Sequence, residues 1–332
     1  MDLSYTEEQE LFRRSVREFV ADRVPPERLA EIADGAEGWD SALWKEAVGL
    51  GLAGISVPED RGGAGMSFVE EAIAAEELGR GVFPGPWLGS VILAQPALEE
   101  APELLQAVAS GERIATYVHA EDPLSVDVPA ADLVVLDTGT TIQALDRDQV
   151  RWETVPTLDG TRRLSRASFE GADGRMLAEG QAAEAIRARI RDRALAALAA
   201  EATGVAERAL ETATGHAKER DQFGLPIGKF QAVSHQLADT YMDVELTRSL
   251  AMWAVAAVDD DDPDRTVAAE TAKAFAADAA VRACERAIQV HGGIGFTWEH
   301  PLHRYYKRAL WIRAFLASGD DLRASVADRI IT

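Results

Sequence analysis

The feature that most constrains this chain is its C-terminal half. From about residue 182 onward, alanine-rich segments with helical periodicity cover roughly 183–217, 229–258, 264–290 and 320–330. They are separated by Gly224-Leu225-Pro226-Ile227-Gly228 and by an acidic turn from Asp259 to Asp262. Small residues let helices pack closely and short connections put neighbours antiparallel, so four long antiparallel helices are the simplest solution. The acidic run reads as a solvated inter-helix loop, a cation site being the other reading of such a cluster.

Helical signals also open the chain. Thr6-x-x-Gln9 reads as a capping box, and Phe12, Val16, Phe19 and Val20 share one face until Pro25-Pro26 ends the helix. Further helices are expected at about 41–50, 67–80, 87–99 and 102–110, broken by Pro58-Glu59-Asp60-Arg61-Gly62-Gly63 and Pro84-Gly85-Pro86. Between about 112 and 172 the pattern changes to short β-like runs, such as Leu133-Val134-Val135-Leu136 and Val150-Arg151-Trp152. The expectation is a mainly α protein with a small central β domain: helical 1–111, β 112–172, and a four-helix bundle over 173–332.

A net charge of -22 disfavours non-specific binding to nucleic acid or an anionic membrane, so a phosphate-bearing ligand needs locally placed arginines. The chain has five lysines against twenty-nine arginines, which suits bidentate phosphate recognition and equally reflects a GC-rich genome. No run of eighteen uncharged apolar residues occurs, and Met1-Asp2-Leu3-Ser4 is neither basic nor apolar, which points to a soluble cytoplasmic protein. The single cysteine, Cys284, excludes an internal disulfide and a thiolate metal cluster and reads as a small buried apolar residue.

Three segments carry chemistry. In Glu219-Arg220-Asp221-Gln222-Phe223-Gly224, continuing to Pro226-Ile227-Gly228-Lys229-Phe230-Gln231, an arginine and an aromatic lie at a helix end beside a glycine turn. A guanidinium there clamps a diphosphate while the ring covers its neighbour, or the segment is simply a capped helix with an exposed arginine. In Gln289-Val290-His291-Gly292-Gly293-Ile294-Gly295-Phe296, paired glycines let backbone amides approach phosphate oxygens. In Trp298-Glu299-His300-Pro301-Leu302-His303-Arg304-Tyr305-Tyr306-Lys307-Arg308, two histidines three apart lack a third metal ligand in register and read as surface or structural residues.

Together these segments resemble the acyl-CoA dehydrogenase family. Leu52-Ala53-Gly54-Ile55 through Pro58 to Gly65, followed by Glu76-Glu77-Leu78-Gly79, is similar to its N-terminal helical domain, and the Arg220 and Gln289 segments match its flavin-diphosphate motifs in order and spacing. The resemblance implies FAD as cofactor. It implies that Arg220 pairs with the FAD diphosphate, that Phe223 packs beside it, and that Gln231, Gln289, Gly292 and Gly293 line the dinucleotide, all in trans across a subunit interface.

The chain departs from that family at the base. Removal of the acyl α-proton needs a carboxylate, while the β-hydride goes to the flavin. The register from Arg304 to Tyr306 puts Leu316, within Phe315-Leu316-Ala317-Ser318, at the family's usual glutamate. The alternative position on the first bundle helix falls at Ala194 and Leu195. Asp192, Glu201, Asp320 and Asp321 are nearby substitutes, or ordinary helix-surface acids. His119-Ala120-Glu121-Asp122-Pro123 stands where the family has its substrate-contacting strand, and the flavin-stacking segment is missing.

This pattern is similar to the smaller subunits of heteromeric α2β2 acyl-CoA dehydrogenases of steroid side-chain degradation. It implies a larger catalytic partner chain, an acyl-CoA bound through that partner, and an electron-transfer flavoprotein as acceptor, with no catalytic residue and no metal in this chain. A self-sufficient homo-oligomer with a displaced carboxylate and a non-enzymatic scaffold are the alternatives.

Overall fold

A computed structural model describes residues 5–122 and 124–331. Met1 to Ser4, which carried the argument against a leader, and Pro123 lie outside the described residues. In chain order come α1 (Glu7–Arg23), α2 (Pro26–Asp34), α3 (Ser41–Gly49), α4 (Phe68–Arg80), a π-helical stretch (Leu88–Ala94) continuing as α5 (Gln95–Leu98), and α6 (Pro102–Ala109). The strands β1 (Ala115–His119), β2 (Ser125–Val126), β3 (Leu133–Asp137), β4 (Thr141–Asp146), β5 (Arg151–Val155), β6 (Leu164–Ser168) and β7 (Arg175–Glu179) follow. The remainder is α7 (Gln181–Glu219), a hairpin of β8 (Asp221–Gln222) and β9 (Leu225–Pro226), α8 (Gln231–Asp259), α9 (Arg265–His291), α10 (Leu302–Ala314) and α11 (Gly319–Ile331).

The fold is mainly α with a small sheet domain, as the sequence implies, but the C-terminal part differs from four long helices. It has three long helices, α7 to α9, and two short ones, α10 and α11. Helix α10 escapes notice because its Arg-Tyr-Tyr-Lys-Arg run hides the apolar stripe: Leu302, Tyr305, Ala309 and Ile312 are buried at helical spacing. The sheet also runs past residue 172, to β7, whose Arg-Met-Leu-Ala-Glu sequence carries little β signal. By contacts the chain divides into two compact units, one of Met1–Pro26, Ala72–Phe83 and Leu195–Thr332, the other of Glu27–Glu71 and Pro84–Ala194.

In the first unit, α1 starts with the expected capping box: Gln9 N–H donates to Thr6 Oγ1 at 3.2 Å and Thr6 N–H to Gln9 Oε1 at 3.0 Å. Most of the arginine chemistry here is internal. Arg13 bonds Glu76 at 2.7 Å and Glu77 at 2.8 Å, Arg17 adds a two-pronged bond to Glu77, and Arg248 on α8 joins Glu76 and Glu207. Glu77 is fully buried, and a carboxylate so placed is tolerated only because guanidinium donors replace its water. Helices α4 and α7 touch backbone to backbone: a Cβ at Gly79 would overlap the Glu201 carbonyl, and one at Gly204 the Glu76 carbonyl. That close approach is the physical reason for glycine in Glu76-Glu77-Leu78-Gly79.

Helix α9 buries a nearly continuous alanine face and, within it, Cys284, whose thiol pKa is pushed up by burial. The fully buried Lys273 of α9 donates its ammonium to the Arg313 carbonyl at 3.2 Å and to the Ala317 carbonyl, fixing the turn between α10 and α11.

In the second unit a four-stranded sheet has the order β1-β3-β4-β7, parallel only between β1 and β3, and a three-stranded antiparallel sheet has the order β2-β6-β5. The parallel register pairs Ala115 with Leu133 and His119 with Asp137. Val118, Val128, Val134, Leu136, Leu145 and Val150 form the core of this part. Asp137, at the end of β3, is bonded by Arg187 of α7 at 2.5 and 2.8 Å and by the Tyr117 hydroxyl. Among the described residues no helix is long and apolar enough to cross a membrane.

Candidate functional site

The first candidate segment folds as a β-hairpin. Strands β8 and β9 pair Asp221 with Pro226 and Gln222 with Leu225, leaving Phe223-Gly224 as a two-residue loop. Both loop residues have positive φ, 55° and 79°, the type I′ geometry that matches strand twist. Phe223 occupies a left-handed conformation disfavoured for an aromatic residue and presents its ring to the surface, 93% exposed. Its ring meets that of Phe230 edge-on, the centroids 6.1 Å apart.

Arg220 sits between α7 and this hairpin. Its N–H donates to the His216 carbonyl at 2.9 Å and its carbonyl accepts the Ile227 N–H at 2.8 Å, so its backbone is pinned while its side chain is exposed. Unlike Arg13, Arg17 and Arg248, it has no carboxylate partner among the described residues. Gln231 is the first residue of α8 and is exposed.

The second segment ends α9. Gln289 is exposed on the last turn, and its carbonyl accepts the Gly292 N–H, closing the helix. Gly292 has φ 63° and ψ -135°, a region essentially reserved for glycine. A Cβ added at Gly292 or Gly293 would meet nothing within 4 Å, so this backbone is open to an incoming group. The two segments lie at one end of the bundle: the His216 ring from α7 stacks on the His291 ring from α9 at 4.3 Å, and Phe223 meets Phe230 at the start of α8. The structure therefore gathers at one helix end the elements that carry Arg220, Phe223, Gln231, Gln289, Gly292 and Gly293.

Among the described residues no group of His, Cys, Asp or Glu is placed to hold a metal ion, and the third segment packs its histidines on rings. His300 packs on His291 at 4.4 Å and His303 on the Trp298 ring at 4.6 Å, and the Lys307 ammonium lies over the Trp298 ring, 4.1 Å from its centroid. Phe296 and Trp298, 74% and 73% exposed, add aromatic surface near the glycine turn. The sequence reading missed His216, which belongs to this cluster; its place in the last turn of α7 was the available signal.

The positions to which the resemblance assigns the base carry side chains that cannot accept a proton. Leu316 is half exposed in the turn after α10 with φ 64°. Ala194 and Leu195 are completely buried on α7. The nearby acids have structural partners: Glu201 bonds Arg308 at 2.5 Å, Asp320 pairs with Arg323 at 2.9 Å, and Asp321 caps α11 through Ser318. Asp192 is buried with a partner of its own. Beside Ala194, Arg193 bonds Glu71 at 2.5 Å, and the same carboxylate accepts from Ser56. Burial raises the Glu71 pKa against the pull of Arg193, and the sequence did not single out this buried carboxyl.

Residues 6–110 match the family model "Acyl-CoA dehydrogenase, N-terminal domain" and residues 192–331 match "Acyl-CoA dehydrogenase, C-terminal domain". Acyl-CoA dehydrogenase IpdE2 of Mycobacterium tuberculosis is 36% identical over 307 residues, covering 91% of each chain. Acyl-CoA dehydrogenase IpdE2 of Mycolicibacterium smegmatis is 35% identical over 313 residues, 92% of this chain and 93% of that one. Among solved structures, a chain of the Tcur3481-Tcur3483 steroid ACAD G363A variant superposes with a TM-score of 0.88 at 28% identity over 98% of both chains. A chain of the ChsE4-ChsE5 complex from Mycobacterium tuberculosis gives a TM-score of 0.88 at 25% identity, over 100% of this chain and 99% of that one. With both terminal domains matched in order and relatives above one-third identity along nine-tenths of its length, the chain belongs to the acyl-CoA dehydrogenase family.

Proposed function

We propose that this chain is the smaller subunit of a heteromeric, FAD-dependent acyl-CoA dehydrogenase, and that it completes the FAD site of a larger catalytic chain. The observation that carries this reading is a contrast within one molecule. The diphosphate-type group at the bundle end is intact and unspent, whereas the two base positions hold Leu316 and Ala194.

The residues present fit the cofactor. A guanidinium without a carboxylate partner, an exposed ring beside it and two glycines open to solvent are what an incoming dinucleotide diphosphate requires. Arg220 would neutralise diphosphate charge, Phe223 would cover the neighbouring portion, Gly292 and Gly293 would let backbone approach, and Gln231 and Gln289 would offer amide hydrogen bonds. When bound, FAD supplies the acceptor for the hydride leaving the acyl β-carbon as a partner-chain carboxylate takes the α-proton, giving a trans-2-enoyl-CoA. This chain's own part is to hold the dinucleotide end and to keep water from it.

Two solved assemblies with chains resembling this one, Tcur3481-Tcur3483 and ChsE4-ChsE5, are each named for two different components, and the first is called a steroid ACAD. They support a heteromeric assembly, which we read as α2β2, working in the cytoplasm on a steroid-type acyl-CoA and passing electrons to an electron-transfer flavoprotein.

The test is the visible spectrum of the purified chain, expressed alone and with a candidate partner from a neighbouring gene, followed by acyl-CoA turnover with a dye acceptor. Flavin absorbance and turnover appearing only on co-expression is the expected result. A lone chain that is yellow and active would overturn the reading and direct attention to Glu71.

A further inference from the structure

Three imidazoles are stacked in sequence at the same bundle end. His216 lies in the last turn of α7, His291 is the final residue of α9, and His300 precedes α10. The His216 and His291 rings are 4.3 Å apart at 24°, and the His291 and His300 rings 4.4 Å apart at 50°.

The backbone fixes two of the protonation patterns. Nδ1 of His291 is 2.8 Å from the Ala287 carbonyl oxygen, which only accepts, so Nδ1 carries a proton. Nδ1 of His300 accepts the Leu302 N–H at 3.3 Å, so that nitrogen is bare. Two members of the stack bear on the groups discussed above: the His216 carbonyl anchors the Arg220 N–H at 2.9 Å, and His291 directly precedes Gly292.

On the reading of Arg220 and Gly292–Gly293 as diphosphate contacts, on which this inference rests, we infer that the His216–His291–His300 stack is a positioning device. It sets the separation between the arginine and the glycine amides, and it does so only while its rings are uncharged.

The electrostatics agree with the geometry. His216 is held below the ordinary histidine range by partial burial, then by His291 and Arg220, with Glu219 opposing. His300 is lowered by burial, then by His291 and His216. Charging one ring sets a cation against the next, and a proton on Nδ1 of His300 would also face the Leu302 N–H. Acidification below about pH 6.5, the ordinary histidine value, therefore drives the rings apart and separates the two contacts. The competing effect has the opposite sign: extra cations beside a diphosphate would tighten its binding.

The experiment follows FAD release from the complex with its catalytic partner by recovery of flavin fluorescence, at about pH 7.5 and about pH 5.5, on either side of the histidine range. Circular dichroism checks that helicity is unchanged between the two. Wild type is expected to release FAD at least about tenfold faster at the lower pH. His216→Phe keeps a stacked ring that cannot charge, and His300→Asn keeps an acceptor for Leu302 N–H; each should flatten that dependence to within about threefold. If both variants keep the wild-type pH dependence, or if acid slows release in the wild type, the inference is overturned. Arg220→Ala is the control for the underlying reading. If it releases FAD no faster than wild type at about pH 7.5, the diphosphate assignment fails by itself. In that case NMR titration of the His216 and His300 rings still tests the stack: both should charge below the ordinary histidine range, and ordinary titration of the two would overturn it.

Discussion

Glu201 on α7 and Arg308 on α10 meet at 2.5 Å, 5% and 0% exposed, so both charges are almost wholly withdrawn from water. A buried pair of this kind contributes little net stability as a pair but is costly to break, because the survivor is left charged and unpaired. Arg308→Ala should lower unfolding free energy by about 3–5 kcal/mol. Joint replacement of Glu201 and Arg308 by Leu and Met should recover most of that loss. Urea denaturation followed by circular dichroism makes the comparison, and a double variant no better than the single one would contradict it.

The contact between α4 and α7 is tighter still. Gly204→Ala pushes a methyl into the Glu76 carbonyl, and the helices must separate to admit it. Overpacking of this kind costs about 1–3 kcal/mol. Gly215, on the same helix with nothing near its Cβ position, is the internal comparison: Gly215→Ala should stabilise by roughly 0.5–1 kcal/mol through helix propensity alone. Thermal melts of the two alanine variants should therefore move in opposite directions.

Asp137 makes the acid limb of stability measurable. Burial works against its charge, but hydrogen bonds from Arg187, Tyr117 and the Gly139 amide outweigh that and leave its pKa below the ordinary aspartate range. A carboxyl lowered in the folded state stabilises above its unfolded value, about 3.9, and that contribution disappears as pH falls through the lower folded value. Asp137→Asn should lower stability near neutrality by roughly 1.5–3 kcal/mol and show a shallower decline than wild type on acidification. Parallel decline of the two proteins would refute the assignment.

Phe223 separates folding from cofactor holding. Its left-handed backbone costs about 1–2 kcal/mol, and its edge contact with Phe230 returns about 0.5–1.5 kcal/mol. Phe223→Asn removes both, so stability should stay within about 1 kcal/mol of wild type. FAD should nonetheless leave the complex several-fold faster, because an exposed ring kept at a strained position has its use outside the fold. Equal release rates in the two complexes would assign Phe223 to the hairpin alone.

The order of helix, sheet and helix was legible because apolar periodicity survives wherever a face is buried, as at Val16 and Val20. The Thr6–Gln9 box was legible for a local reason, since its partners are three residues apart. Helix α2 was not: Pro25-Pro26 reads as a stop, yet the second proline is also a good first residue for the next helix. The parallel pairing of β1 with β3 depends on a non-local match between Ala115 and Leu133 that neither strand announces.

At the candidate site, residue identities could be read but their bookkeeping could not. Abundant arginine suggested phosphate chemistry, and only the structure separates Arg220, which has no carboxylate partner among the described residues, from Arg13, Arg17 and Arg248, which are spent on buried glutamates. The histidine stack joins positions 216, 291 and 300, a spacing with no local pattern to find.

Cys284 gives the molecule a built-in clock. Its thiol is the only one in the chain, sits at zero exposure within α9, and is kept protonated by its surroundings. A thiol reagent therefore cannot reach it while α9 is packed, and the rate at which such a reagent consumes it times the opening of the bundle without any introduced label.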